Sequence, residues 1–266
     1  MKIKEITRII EAFAPAATAS SWDNPGLLVG DDEAETHKVL CALDCTDAVI
    51  DEAVNAGAGL IITHHPLLFK PVSNVLANDI VGRKLIKLIK NGIALYSAHT
   101  NLDRAKGGVN DRLAEVLGLC GIGPLFSADD ADNYDMGRTG SLSKPLLLEE
   151  LALLVKERLS LDHVRFVGDP KKEVKKVALC SGSASGREFF MEAVKAGCQA
   201  YITGDIKFHD GQMALDMGLS LVDATHYGSE VIIVDKLCKL LIDNIDREGI
   251  VVFASKADGQ VLRGVS

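Results

Sequence analysis

Residues 52–66 read Glu52-Ala53-Val54-Asn55-Ala56-Gly57-Ala58-Gly59-Leu60-Ile61-Ile62-Thr63-His64-His65-Pro66. The first six close a helix, with Gly57 as its C-cap. Leu60-Ile61-Ile62 is the apolar run of a short buried strand, and two histidines stand side by side where it runs out. Adjacent residues on a regular strand point to opposite faces. Both imidazoles can serve one site only where the strand breaks, and Pro66 supplies that break. Strand ends in α/β sheets are also where ligands and metals are usually bound.

Outward from this stretch, strands and helices alternate. Residues 38–43 read as a strand closed by Asp44-Cys45-Thr46, and 47–56 as the helix that Gly57 caps. A helix over 80–90 stops at Asn91-Gly92. A strand over 94–98 ends in His99-Thr100-Asn101-Leu102-Asp103, and Gly107-Gly108 opens a helix over 109–117. Upstream, Ile3, Ile6, Ile9, Ile10 and Phe13 have helical spacing, and the helix ends before Pro15. Ser21-Trp22-Asp23-Asn24-Pro25-Gly26 is a turn signal ahead of a short strand at 27–30. Asp23 or Asn24 lining a pocket is the alternative reading of that turn.

Residues 121–168 are less regular, with a short strand at 139–142, a helix over 146–159 and a strand over 163–167. Glu149 and Glu150 suit the positive end of that helix, and His163 reads as structural. From 175 the earlier pattern returns. Glu192-Ala193-Val194-Lys195-Ala196-Gly197 matches residues 52–57, Ile202-Thr203 matches Ile62-Thr63, and Ala224-Thr225-His226 ends the next strand as Ala98-His99-Thr100 does. The repeat implies an α/β fold of two similar lobes, each with a mixed, largely parallel sheet flanked by helices. The first lobe would take 1–120 plus 231–266, with a helix over 231–242 and a strand over 250–253. The second would take 121–230. His64, His65, His99 and Asp103 stand at strand ends of one lobe, and Asp205, His226 and Glu230 at strand ends of the other. His226 and Glu230, four apart, share a face of a helical turn. A metal site is expected in the cleft between the lobes, where ligand sites commonly lie.

Composition narrows the partners. Apolar residues are 47% and charged residues 25% of 266, which suits a globular protein with a substantial core. A net charge of −8 argues against nonspecific binding to nucleic acid or an anionic membrane. No run is long enough to cross a membrane, and the N-terminus carries charge where a signal peptide is apolar. The six cysteines form no CxxC pair and read as buried thiols of a reducing compartment. The expected location is cytoplasmic.

Taken in order, Trp22-Asp23-Asn24-Pro25-Gly26-Leu27, Ile62-Thr63-His64-His65-Pro66 and Ala98-His99-Thr100-Asn101-Leu102-Asp103 form a specific set. Thr203-Gly204-Asp205, His209 and Asp223-Ala224-Thr225-His226-Tyr227-Gly228-Ser229-Glu230 complete it. With these motifs the chain resembles the Nif-three-like family, often labelled GTP cyclohydrolase 1 type 2 homologs, over nearly its whole length. The resemblance implies a dinuclear metal centre with His64, His65, Asp103, His226 and Glu230 as ligands, His99 standing behind them. It also implies a two-lobed protomer in a toroidal homohexamer. The domain that some members carry mid-chain has no room here.

Three imidazoles and two carboxylates suit two divalent ions of Zn, Mn, Fe, Co or Ni. Five ligands do not saturate two metals, which leaves positions for water and substrate. The expected function is metal-dependent hydrolysis of a small molecule: a nucleotide, a pterin-like compound or a phosphoester. The alternative is a metal store, donor or regulatory scaffold without turnover. Asp205 and His209, with Lys207 between them, are the expected catalytic residues, against the plainer reading of a charged surface loop. Ser181-Gly182-Ser183-Ala184-Ser185-Gly186 joins a strand to a helix and is either a flexible connection or a phosphate contact. It lacks the Gly-Lys-Ser/Thr ending of a P-loop. GxSxG and GxGxxG are absent, which argues against a serine hydrolase and a dinucleotide site.

Overall fold

A computed structural model describes residues 1–126, 136–246 and 248–263. The chain divides into two compact units, Met1–Ala105 with Ile233–Gly259, and Lys106–Ile232 with Gln260–Ser266.

The first unit opens with helix α1 (Ile3–Phe13), which buries Ile3, Ile6 and Ile10. It continues through β1 (Gly26–Val29), β2 (Lys38–Ala42), α2 (Asp47–Ala56), β3 (Leu60–Thr63), α3 (Ile80–Lys90), β4 (Ala94–Ser97) and the short α4 (Thr100–Arg104). Local chemistry fixes these helices. The Thr46 side chain accepts from Val49 N–H at the start of α2, and Gly57 ends it at φ 69°. The Asp79 carboxylate accepts from Val81 and Gly82 N–H at the start of α3. β3 and β4 are buried at every residue, as parallel strands covered on both faces are. Among the described residues the strand order is β1-β4-β3-β2-β11, with β11 (Val251–Ala254) supplied by the returning chain. Only the β1–β4 pairing is antiparallel in this sheet. β2, β3 and β4 therefore bring their C-terminal ends to one edge.

The second unit holds α5 (Val109–Val116), β5 (Cys120–Pro124), β6 (Arg138–Leu147), α6 (Leu148–Arg158), β7 (Arg165–Val167) and β8 (Glu173–Leu179). Then follow α7 (Arg187–Lys195), β9 (Ala200–Thr203), α8 (Phe208–Asp216), β10 (Ser220–Asp223) and α9 (His226–Glu230); α10 (Ile232–Asn244) leads back to the first unit. Among the described residues the order is β5-β6-β8-β9-β10-β7. β8, β9 and β10 are parallel, like β2, β3 and β4, and the outer pairings are antiparallel. The strand exits also correspond: Ala98 N–H donates to Thr63 O at 3.0 Å, and Ala224 N–H to Thr203 O at 2.7 Å.

The repeat read from the sequence is thus a repeated strand–helix unit in each sheet. The irregular region differs in detail from its expectation. β6 runs ten residues rather than four, because Leu146 and Leu147 pair with Val174 and Glu173 beyond a register shift. Ser143-Lys144-Pro145 at that shift breaks any apolar alternation, so only the first part of the strand was legible. β5 was not anticipated; it is mostly exposed, glycine-rich and held by pairing with β6. Among the described residues no helix is long and apolar enough to cross a membrane.

Candidate metal centre

In the first unit the strand exits carry the donors. His64 is fully buried, and its Nδ1 lies 2.9 Å from Ala98 O. A carbonyl only accepts, so Nδ1 carries the proton and Nε2 keeps the lone pair. That Nε2 is 3.7 Å from Oδ1 of Asp103, which is itself buried. Two donors on one ion, each about 2.0–2.2 Å from it, stand about 3–4 Å apart, so this spacing suits a shared ion. His65 Nδ1 is 2.8 Å from Asp44 Oδ1, and its peptide N–H bonds to Leu43 O. The chain turns at this point, which lets both rings face one side: their centroids are 4.9 Å apart.

His99 joins them. Donor atoms of His64, His65 and His99 all lie within 4.8 Å of one another. The resemblance set His99 behind the ligands, whereas the geometry alone includes it in the donor group. Its Nδ1 is 2.9 Å from Asp23 Oδ1, and the other Asp23 oxygen accepts from Thr100 N–H and Thr100 Oγ1. Burial by itself pushes the Asp23 carboxyl up, but the bonds from His99 and Thr100 outweigh it and hold the group well below the usual carboxylate range. Gly26, at φ 114°, turns the chain as expected, while Asp23 orients the histidine. Trp22 and Phe69 flank His99, with ring centroids 5.9 and 5.4 Å from it.

In the second unit α9 presents His226 and Glu230, with Nε2 3.2 Å from the buried carboxylate. His226 Nδ1 is 2.8 Å from Asp205 Oδ2. Gly182, at φ 69°, lies against this pair, and a Cβ there would collide with Glu230 Oε1 and stand 3.4 Å from His226 Nε2. Its N–H donates to Ser229 Oγ at 3.0 Å, while Ser181 N–H donates to Asn110 Oδ1 at 2.8 Å. The Ser181–Gly186 loop thus spends its first N–H groups on structure. Asp205 is exposed and held at φ 53°. His209 is exposed on the first turn of α8, bonded to Gln212 of the same helix at 2.9 Å.

Each unit therefore offers imidazole and carboxylate together, with Nδ1 of every candidate imidazole engaged, so the donor set fits divalent ions. Asp44 was legible only as the close of a strand, and Gly182 only as part of the 181–186 connection. A signal for Asp44 exists: Asp44–His65 and Asp205–His226 are both 21 residues apart. That is one strand–helix–strand step, the separation that makes two strand ends neighbours in a parallel sheet. Of the cysteines, Cys120 alone is exposed; burial pushes the Cys45 thiol up to about 12 and Cys198 up to about 11, which leaves both inert.

Comparison with known proteins agrees with this architecture. The family profile described as Duf34/NIF3 (NGG1p interacting factor 3) matches residues 1–259. A Clostridium perfringens protein named GTP cyclohydrolase 1 type 2 homolog is 41% identical over 93% of this chain and 94% of its own. The crystal structure of a Bacillus cereus protein related to NIF3 superposes with a TM-score of 0.92 at 26% identity, covering 100% of this chain and 99% of that one. The Staphylococcus aureus hypothetical protein SA1388 gives 0.90 at 33% identity, with the same coverage.

Proposed function

The chain belongs to the Duf34/NIF3 family, and from that premise we propose that it is a dinuclear-metal protein that hydrolyses a nucleotide, pterin-like or phosphoester substrate. His64, His65 and Asp103 of the first unit and His226 and Glu230 of the second are its metal ligands, the ions being Zn, Mn, Fe, Co or Ni. The observation that carries this reading is the fixed tautomer of three imidazoles. His64 is held at Nδ1 by a backbone carbonyl, and His65 and His226 by Asp44 and Asp205. Ligating histidines are usually oriented in this way. Two bound ions would supply Lewis acidity and acidify water at neutral pH.

The chain's own residues supply the rest. Asp44 and Asp205 aim their imidazoles and raise the basicity of Nε2. Asp103 and Glu230 bring negative charge into buried positions, where a carboxylate is stable only if paired or bound to metal. Asp205 acts through His226, and His209 is assigned proton transfer to or from substrate. The chain works in the cytoplasm as a homohexamer.

Metal content of protein purified without added metal, followed by turnover of nucleotide and phosphoester panels with each ion restored, tests the proposal. The expected result is about two ions per chain, turnover lost in Glu230→Gln, and metal affinity about 10–100-fold weaker in Asp205→Asn. Full metal content in His64→Ala would end the ligand assignment. Two retained ions without turnover would favour the metal store or scaffold, and an unchanged kcat in His209→Ala would remove that residue from the mechanism.

A further inference from the structure

The second unit contains a cavity of about 360 Å³ between β7 and α8, a volume in the range of small-molecule sites, about 300–1,000 Å³. Its walls are mostly apolar. Phe208, at the start of α8, is 77% exposed, and Phe166 and Leu215 are 38% and 53% exposed. Aromatic rings left in solvent around a concavity mark a binding surface better than a packing one. Gly211 lines the cavity floor without a side chain, and a Cβ there would press on the Val167 side chain at 3.2 Å. α8 therefore lies close against β7.

Two cations stand at this wall, Arg165 and Lys207. The Arg165 guanidinium is fixed by its Nε and Nη2, which donate to Asp223, leaving Nη1 for other contacts. Asp223 is buried and also accepts from Thr225 N–H at 3.0 Å. A second cavity of about 200 Å³ shares Arg165 and Asp223 with the first and adds Asp205. That carboxylate holds His226. Through the shared Arg165 and Asp223, the lining residues run from an apolar and cationic end to the His226 partner.

We propose that this run is a binding site for a planar aromatic anion, its ring against Phe166 and Phe208 and its anionic group toward Arg165 and Lys207. Aromatic faces stack on planar ligands, and an oriented guanidinium beside an ammonium selects an anion. As a substrate site it rests on the hydrolase reading above; as a binding site it stands on the cavity alone.

The test is calorimetric titration of the full-length, chelator-stripped protein with naphthyl phosphate. One saturable site per chain is expected. Lys207→Glu and Phe208→Ala, both at exposed positions, should each weaken binding about tenfold with unchanged circular dichroism. Naphthol, without the anion, and inorganic phosphate, without the ring, should each bind at least about tenfold more weakly. Absence of binding, equal affinity for naphthol, or unchanged affinity in both variants overturns the proposal; a cavity closed by a second copy of the chain would give the first of these. Turnover with metal restored is read separately. Binding without turnover keeps the site and removes the hydrolase reading.

Discussion

A single carboxylate, Asp23, ties three groups of the first unit together: the His99 ring, the Thr100 hydroxyl and the N–H that opens α4. Its pKa is held down in the folded state, so its stabilisation is present above the unfolded value of about 4 and is lost as pH falls below it. Asp23→Asn should cost about 1–3 kcal/mol in urea unfolding at pH 7. The gap to the parent should close as both are titrated below about pH 4; a gap that persists unchanged there would show that the charge is not what stabilises α4. The residue types at this site were legible, because histidines and carboxylates at strand ends are few. The partnership of Asp23 with His99 was not, since 76 residues separate them and nothing local to either names the other.

Among the elements, α9 depends on what packs against it. Thr225 caps it at φ 58°, its side chain accepting from Gly228 N–H, and Gly182 presses on its acidic end. Gly182 and Gly197 both have positive φ, 69° and 73°, but a Cβ on Gly197 meets nothing. The two positions therefore separate backbone strain from collision. Gly197→Ala should cost about 1–2 kcal/mol of stability and leave metal content unchanged. Gly182→Ala should cost more and also displace Glu230, lowering metal affinity about tenfold or more. Equal metal content in the two variants would remove Gly182 from the site. Elements with their own stop signals, such as α2 between Thr46 and Gly57, matched their expected bounds. β5 and the far half of β6 lacked such signals, because their pairing partners define them.

At the scale of the molecule, metal that binds the folded chain and not the unfolded one adds its binding free energy to stability. With free metal a hundredfold above its Kd, the loaded protein should be about 2.7 kcal/mol more stable than the stripped protein. Trp22 is the sole tryptophan and lies 5.9 Å from His99, so its fluorescence follows the first unit, while far-UV circular dichroism follows both. The two transitions should rise together on loading. A rise seen by Trp22 alone would confine the metal to the first unit.

The sequence by itself determined the α/β class, the repeated strand–helix unit and the residue types gathered at the strand ends. Those features follow from periodicity, caps and turn residues, which act over a few positions. Tertiary structure alone decided the strand order, the carboxylate that holds His99, the carbonyl that holds His64, and the glycine beside Glu230. Each of these depends on which strand ends become neighbours in a sheet, and that is settled by burial of the whole core rather than by any local run of residues.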